Sequence, residues 1–120
     1  MNEADEKFTG TYKKGSDNYR ETLHLRDNYL LSSEYVSRMF PGEVFEENGT
    51  WKVMKDTLFI ERVRHETLKA VEFPANQKYL IRENKLFEIE RNYKGELFKS
   101  PFYFEKECSD CEHAQDTTRI

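Results

Sequence analysis

Asn48-Gly49-Thr50-Trp51-Lys52-Val53-Met54-Lys55-Asp56-Thr57-Leu58-Phe59-Ile60-Glu61-Arg62 holds the single tryptophan of the chain and decides the fold. Apolar residues alternate with polar ones on both sides of the polar tip Lys55-Asp56, as in two antiparallel strands joined by a tight turn. The plan recurs twice. Leu23 and Leu25 precede Arg26-Asp27-Asn28 and a second apolar run; Tyr79-Leu80-Ile81 precedes Arg82-Glu83-Asn84 and Lys85-Leu86-Phe87-Glu88-Ile89. The copies align as Leu23, Trp51 and Tyr79; Leu25, Val53 and Ile81; Leu30, Leu58 and Leu86; and Leu31, Phe59 and Phe87. Asn and Asp recur at the tips, Asp27-Asn28, Lys55-Asp56 and Glu83-Asn84, where they are expected to accept the positive φ of a tight hairpin turn.

Adding Phe8 to Lys13 before the first hairpin and Leu97 to Glu105 after the last predicts an all-β chain, an antiparallel up-and-down meander of about eight strands. Eight strands can close into a barrel and so remove the exposed edges of a flat sheet. Two stretches interrupt the scheme. Ser37 to Glu43 holds Phe40-Pro41-Gly42 and calls for a turn, and Val63 to Gln77 reads equally as a short helix, an extra strand or a lid.

The totals fit one domain. The chain has 120 residues, 37% of them hydrophobic and 35% charged, and its nine Phe, seven Tyr and one Trp are too many for a disordered polymer. Its net charge of −4 is spread over interleaved acids and bases, so no block attracts a phosphate backbone and nucleic acid is not an expected partner. No run approaches the roughly 20 apolar residues of a membrane span. Met1 to Lys7 lacks the basic and apolar regions of a signal peptide. A chain beginning after a removed signal or lipoprotein anchor would read the same, which leaves cell envelope, periplasm and cytoplasm all open. The expected layout is a disordered segment over 1–7, a barrel over 8–107 and a polar tail over 108–120.

Phe8-Thr9-Gly10-Thr11-Tyr12 resembles the Gly-x-aromatic opening of a lipocalin-like first strand. Gly49-Thr50-Trp51-Lys52-Val53 with Asp56-Thr57-Leu58 is similar to a recurrent hairpin of small bacterial lipocalin-like proteins, including the barrel domain of NlpE-type envelope lipoproteins. The resemblance spans Phe8 to Glu107. It implies an up-and-down barrel, often bacterial, often exported or lipid-anchored, and sometimes a binder of a small apolar ligand. One departure stands out: NlpE-type barrels carry Cys-x-x-Cys nearer the N-terminus, whereas here Cys108 and Cys111 follow the last strand.

Alternation places Leu23, Leu25, Trp51, Val53, Tyr79, Ile81, Leu58 and Ile60 inside the barrel. Filling the core is the expected first duty of Trp51, because large aromatics mostly serve burial. Trp51 and Tyr79 are also candidate ligand contacts. For the strand after Glu83-Asn84 two parities remain open. With Phe87 and Ile89 inward, Glu88 is solvated, which avoids the several kcal/mol that an unpaired buried carboxylate costs. With Leu86 inward, as its alignment to Leu58 suggests, Glu88 turns inward too; Arg62 is then its candidate partner, and the pair would orient a polar group of a ligand. His24 falls on the outer face.

Cys108, Cys111 and His113 form the one metal-like cluster in the sequence, but a structural zinc site needs four ligands and the second pair is missing. Two free thiols, a disulfide or redox chemistry are the other readings of this pair. No nucleophile elbow, phosphate-binding glycine loop or His-Glu-x-x-His motif occurs, and no cofactor is implied, so a non-enzymatic protein is expected. Two functions follow from the barrel: binding of a small apolar or amphipathic ligand, or a filled barrel acting through its surface as an envelope or regulatory interaction module.

Overall fold

The computed structural model describes residues 1–63 and 74–107. A short helix α1 (Glu3–Glu6) leads into eight strands: β1 (Gly10–Gly15), β2 (Tyr19–Leu25), β3 (Leu30–Ser37), β4 (Phe45–Met54), β5 (Thr57–Arg62), β6 (Asn76–Arg82), β7 (Lys85–Arg91) and β8 (Leu97–Glu107). Each strand pairs antiparallel with its sequence neighbour, and β1 closes on β8 through Thr11–Glu107, Tyr12–Lys106 and Lys13–Glu105. The fold is thus a closed eight-stranded up-and-down barrel, in which every strand edge is paired. Cys108, Cys111 and His113 lie outside the described residues, as does most of the Val63 to Gln77 segment.

The β4–β5 and β6–β7 hairpins follow the repeat closely. Val53 faces Leu58 across the first and Ile81 faces Leu86 across the second, with two-residue tips between Met54 and Thr57 and between Arg82 and Lys85. The positive φ at these tips falls on Lys55 and Glu83, not on Asp56 or Asn84, which corrects the expectation drawn from the Asx residues. The β2–β3 hairpin departs from the repeat. Its tip contains a 3-10 turn at Asp27–Tyr29, with both Asn28 and Tyr29 at positive φ, and this makes it one residue longer. Leu25 therefore pairs with Leu31. Leu31 is the buried equivalent of Leu58 and Leu86, while Leu30 points outward and is 52% exposed. One extra residue reverses the face of everything after it.

The core is a single cluster containing Tyr12, Leu23, Leu25, Leu31, Trp51, Leu58, Ile60, Tyr79, Leu86 and Phe104, with Phe8, Tyr29, Val53 and Ile81 packed against it. All eight interior positions read from alternation are in this set. Tyr79 meets Phe104 edge to face at 5.8 Å, and Trp51 meets Tyr29 at 5.2 Å. Both geometries suit the aromatic quadrupole.

An up-and-down barrel has two unlike ends. The β2–β3, β4–β5 and β6–β7 tips share one end with the start of β1 and the end of β8. The first seven residues lie across this end and are tied there by side chains. Asn2 caps α1 through its side chain, the Tyr29 hydroxyl donates to Asp5 at 2.7 Å, and Lys106 Nζ donates to the Lys7 carbonyl at 2.7 Å. The Tyr12 hydroxyl donates to the Phe8 carbonyl at 2.7 Å. A side-chain cap, two hydroxyl bonds and one ammonium–carbonyl bond, none of them revealed by composition, thus hold a strongly polar segment in place. The β1–β2, β3–β4, β5–β6 and β7–β8 connections gather at the opposite end, which is called the mouth below.

Candidate functional site

Toward the mouth, the inward-facing residues change character on strand after strand. On β2 the inward series runs Leu25, Leu23, Glu21, Tyr19; on β3 it runs Leu31, Ser33, Tyr35; on β4 it runs Val53, Trp51, Gly49, Glu47, Phe45. Beyond Ile60 on β5 comes Arg62, and beyond Tyr79 on β6 comes Gln77. Period two keeps these residues inside although they are polar, because the apolar residues of the same strands fix the register.

Arg62 is the centre of this layer. It is 6% exposed; its Nε donates to Ser33 Oγ at 3.0 Å, and its Nη1 donates to the Pro74 carbonyl at 2.9 Å and to Gln77 Oε1. Gln77 Nε2 in turn donates to Glu88 Oε2 at 2.5 Å. Gly49 sits opposite Arg62 in the β4–β5 pairing. A Cβ there would lie 2.0 Å from the Glu61 carbonyl oxygen and 2.8 Å from Arg62 Cα, so only glycine permits this approach of the two backbones. The remaining polar groups of the layer are Lys14 and Glu21, 3.8 Å apart, and the buried Glu47. Lys14 Nζ also lies 4.8 Å from the centre of the Phe104 ring, at the boundary with the apolar core.

Burial raises the Tyr79 phenol well above its ordinary value near 10; Glu88 and Glu21 add to the rise, and the Arg62 cation opposes it. Tyr79 is therefore a neutral hydroxyl at the junction between core and polar layer. Its position makes it the hinge between the two halves of the interior.

The parity left open by the sequence is resolved in favour of the costlier arrangement. Leu86 is buried, Phe87 lies outside against Tyr103 at 5.1 Å, and Glu88 turns inward, half-buried. The β7–β8 pairing is irregular just there: Phe87 pairs with Tyr103 and Ile89 with Lys99, so Glu88 faces the three residues Ser100, Pro101 and Phe102. Proline lacks the N–H that a regular ladder requires, and a bulge accommodates it while re-aiming the neighbouring side chains. Ser100 is buried there, and its Oγ accepts from the Phe102 amide at 3.2 Å.

Of the four ligand candidates, Arg62 and Glu88 are brought together through Gln77, and Tyr79 adjoins them. Trp51 is not part of this group. It is 2% exposed, and its Nε1 donates to the Arg26 carbonyl at 3.0 Å, toward the end covered by α1. His24 stands on the outer face as expected, with Nδ1 3.1 Å from Thr11 Oγ1 and Nε2 3.5 Å from Glu34.

Sequence reasoning missed an aromatic wall. Tyr19 stacks on Tyr35 at 6.0 Å, Tyr35 meets Phe45 at 6.4 Å, and Phe45 meets Phe40 edge to face at 5.4 Å. The first three are half-buried on the inner parity of β2, β3 and β4, across the barrel from the polar groups of β5 to β7. The signal was present in each strand's own alternation, but those positions lie six to ten residues from the hairpin tips, outside the repeated units. No group of three or more His, Cys, Asp or Glu side chains among the described residues is arranged to hold a metal ion.

The chain matches no protein-family model, no curated protein and no solved structure. The geometry of the barrel is therefore the ground for any functional reading.

Proposed function

We propose that the chain is a non-enzymatic, lipocalin-like barrel that takes a small amphipathic ligand into its mouth. The observation that carries this reading is the buried Arg62, held by Ser33, the Pro74 carbonyl and Gln77, with Glu88 continuing the chain of hydrogen bonds. A charged layer inside a barrel is expensive to keep. Hydrophobic residues of similar volume would often hold a core as well or better, so a fixed polar layer above an apolar floor is best explained by a polar group that it orients.

The two walls suggest how a ligand is divided. Its apolar portion lies along Tyr19, Tyr35 and Phe45, and its head group meets Arg62 and Lys14 as donors and Glu88 and Glu21 as acceptors. Such a mixture suits a zwitterionic or hydroxyl-rich head better than a simple fatty acid. The Gly-x-aromatic opening of β1 supports the same reading, since the small bacterial lipocalin-like proteins that it resembles include binders of small ligands.

A panel of fatty acids, lysophospholipids and alkyl glycosides titrated into the labelled protein tests the proposal by amide and side-chain NMR shifts. At least one amphipath with a zwitterionic or hydroxylated head should shift Tyr35, Gln77 and Glu88, and Tyr35→Ala should weaken its binding about tenfold, the loss of a stacked ring being worth roughly 1.4 kcal/mol. Saturating concentrations of the whole panel that leave these signals in place would refute the reading.

A further inference from the structure

The outer rim of the mouth carries a second pattern. Separate connections each expose a large apolar side chain there: Met39 (81% exposed) and Val44 on the β3–β4 loop, Tyr93 (93%) at the β7–β8 turn, and Leu97 where β8 begins. Soluble surfaces expose single apolar residues freely, as this one does at Leu30, Met54 and Phe102, but at the mouth four such side chains gather on two connections that flank the β1–β2 turn. A shaped protein groove would want a contiguous ridge. Isolated apolar tips arranged around an opening suit a deformable surface that admits each one separately.

Between those two connections lies the β1–β2 turn, because β1 is flanked by β8 and β2 by β3 in the closed barrel. A depression of about 460 Å³ opens at this place, lined by both Arg20 and Arg38 together with the hydroxyls of Ser16 and Ser37. Among the described residues neither guanidinium has an ion-pair partner. Asp17 lines the depression as well, and Glu43 and Glu96 belong to the neighbouring loops, so the rim as a whole is of mixed charge. Two arginines converging on one hollow, with hydroxyls beside them, have the donors to hold a phosphate. Lys94 extends over the Tyr93 ring at 5.7 Å, the pairing of aromatic ring and snorkelling cation that membrane interfaces favour.

We infer that the mouth docks onto a phospholipid bilayer, with Met39, Val44, Tyr93 and Leu97 entering the interface and Arg20 and Arg38 taking a lipid phosphate in the depression between the two apolar loops. The arrangement would set the interior polar layer directly over a source of amphipaths. It rests on the exposed rim and not on the interior, so vesicle binding and the soluble-ligand titration stand or fall separately.

Co-sedimentation with vesicles of phosphatidylcholine, and of phosphatidylcholine with one quarter phosphatidylglycerol, tests it. The wild-type chain should partition onto both, more strongly onto the anionic vesicles. Met39→Ser, Tyr93→Ser and Leu97→Ser combined should reduce partitioning at least tenfold on both compositions; all three sites are exposed, so the thermal midpoint should hold, and this is checked by circular dichroism. Arg20→Gln with Arg38→Gln should abolish the preference for anionic vesicles. Wild-type protein that stays in the supernatant with both compositions, or a triple variant that partitions like wild type, would overturn the inference. Inorganic phosphate is the control for the other source of the same chemistry: NMR shifts at Arg20 and Arg38 with phosphate, without any vesicle binding, would overturn bilayer docking in favour of a free-anion site.

Discussion

The two ends of this barrel are built from the same strands by opposite rules. At the end covered by α1, inward residues are large and apolar, tips are short, and the few polar atoms, such as Trp51 Nε1 and the Tyr12 and Tyr29 hydroxyls, are tied to backbone or to Asp5. At the mouth the same inward positions carry Lys14, Glu21, Glu47, Arg62, Gln77 and Glu88, beside a half-buried aromatic wall. The contrast teaches that register can be fixed at one end of a strand and used at the other. Once Leu23, Leu58, Tyr79 and Leu86 are locked inward, period two delivers charges to the interior that could not have specified that register themselves.

The sharpest way to break the comparison is to cut each end in turn. Trp51→Ala should cost about 4 kcal/mol in denaturant unfolding, the range for deleting a buried aromatic. Tyr35→Ala, at the half-buried mouth, should cost only about 1 kcal/mol by the apolar area it hides. Equal losses would show that the mouth is as much core as the floor.

Next in size is the polar layer. Arg62→Met should destabilise by about 3 kcal/mol, because carboxylates that its cation faces remain inside. Adding Glu88→Met should return at least about 1 kcal/mol of that loss, a coupling carried through Gln77. Strictly additive effects in urea titrations would mean that the two side chains do not act as a unit.

A pH series distinguishes the ends more gently. Burial raises the phenol of Tyr12 at the floor and of Tyr79 at the junction above the ordinary value near 10. A folded-state pKa raised above the unfolded one gives stability that is fully present below pH 10. That stability is lost as pH climbs further, because the unfolded chain releases protons that the folded chain retains. The denaturation midpoint should therefore fall above about pH 10. Tyr79→Phe should flatten part of that decline while leaving the Tyr12 part in place.

The smallest effect belongs to the hairpin tips. Lys55→Gly and Glu83→Gly each replace a residue held at positive φ and should raise stability by about 0.5 kcal/mol, the relief of left-handed strain less the entropy of glycine. A loss instead would indicate that the side chains contribute more at the tips than the backbone geometry costs.

The floor was legible in the sequence because its three hairpins obey binary patterning and repeat at a fixed interval. Leu23, Trp51 and Tyr79 could be placed inside without any coordinates. The slip at Leu30 had a local cause: the turn at Asp27–Tyr29 adds a residue that no hydrophobic pattern announces. The mouth was mostly illegible for a different reason. An inward carboxylate and a solvated one look identical in a sequence, and the burial penalty argues for the solvated choice unless partners are known. Arg62 and Glu88 were foreseeable as a pair only on one of two parities. Gln77, which joins them, comes from a strand whose pairing had to be seen, and the wall of Tyr19, Tyr35 and Phe45 lies on the inward alternation of its strands but outside the repeated units. The contacts of the N-terminal segment were illegible too, since Tyr29 and Lys106, which meet it, are distant in the chain.

One measurement bears most directly on the claim that the floor fixes the fold and the mouth binds. Heteronuclear NMR of the intact chain, titrated with amphipaths bearing zwitterionic or hydroxylated heads, reports both ends in one spectrum. Shifts centred on Tyr35, Arg62, Gln77 and Glu88, with the Trp51 indole signal unmoved, are the predicted result. Shifts centred on the Trp51 indole, or none at saturating ligand across the panel, would contradict the account.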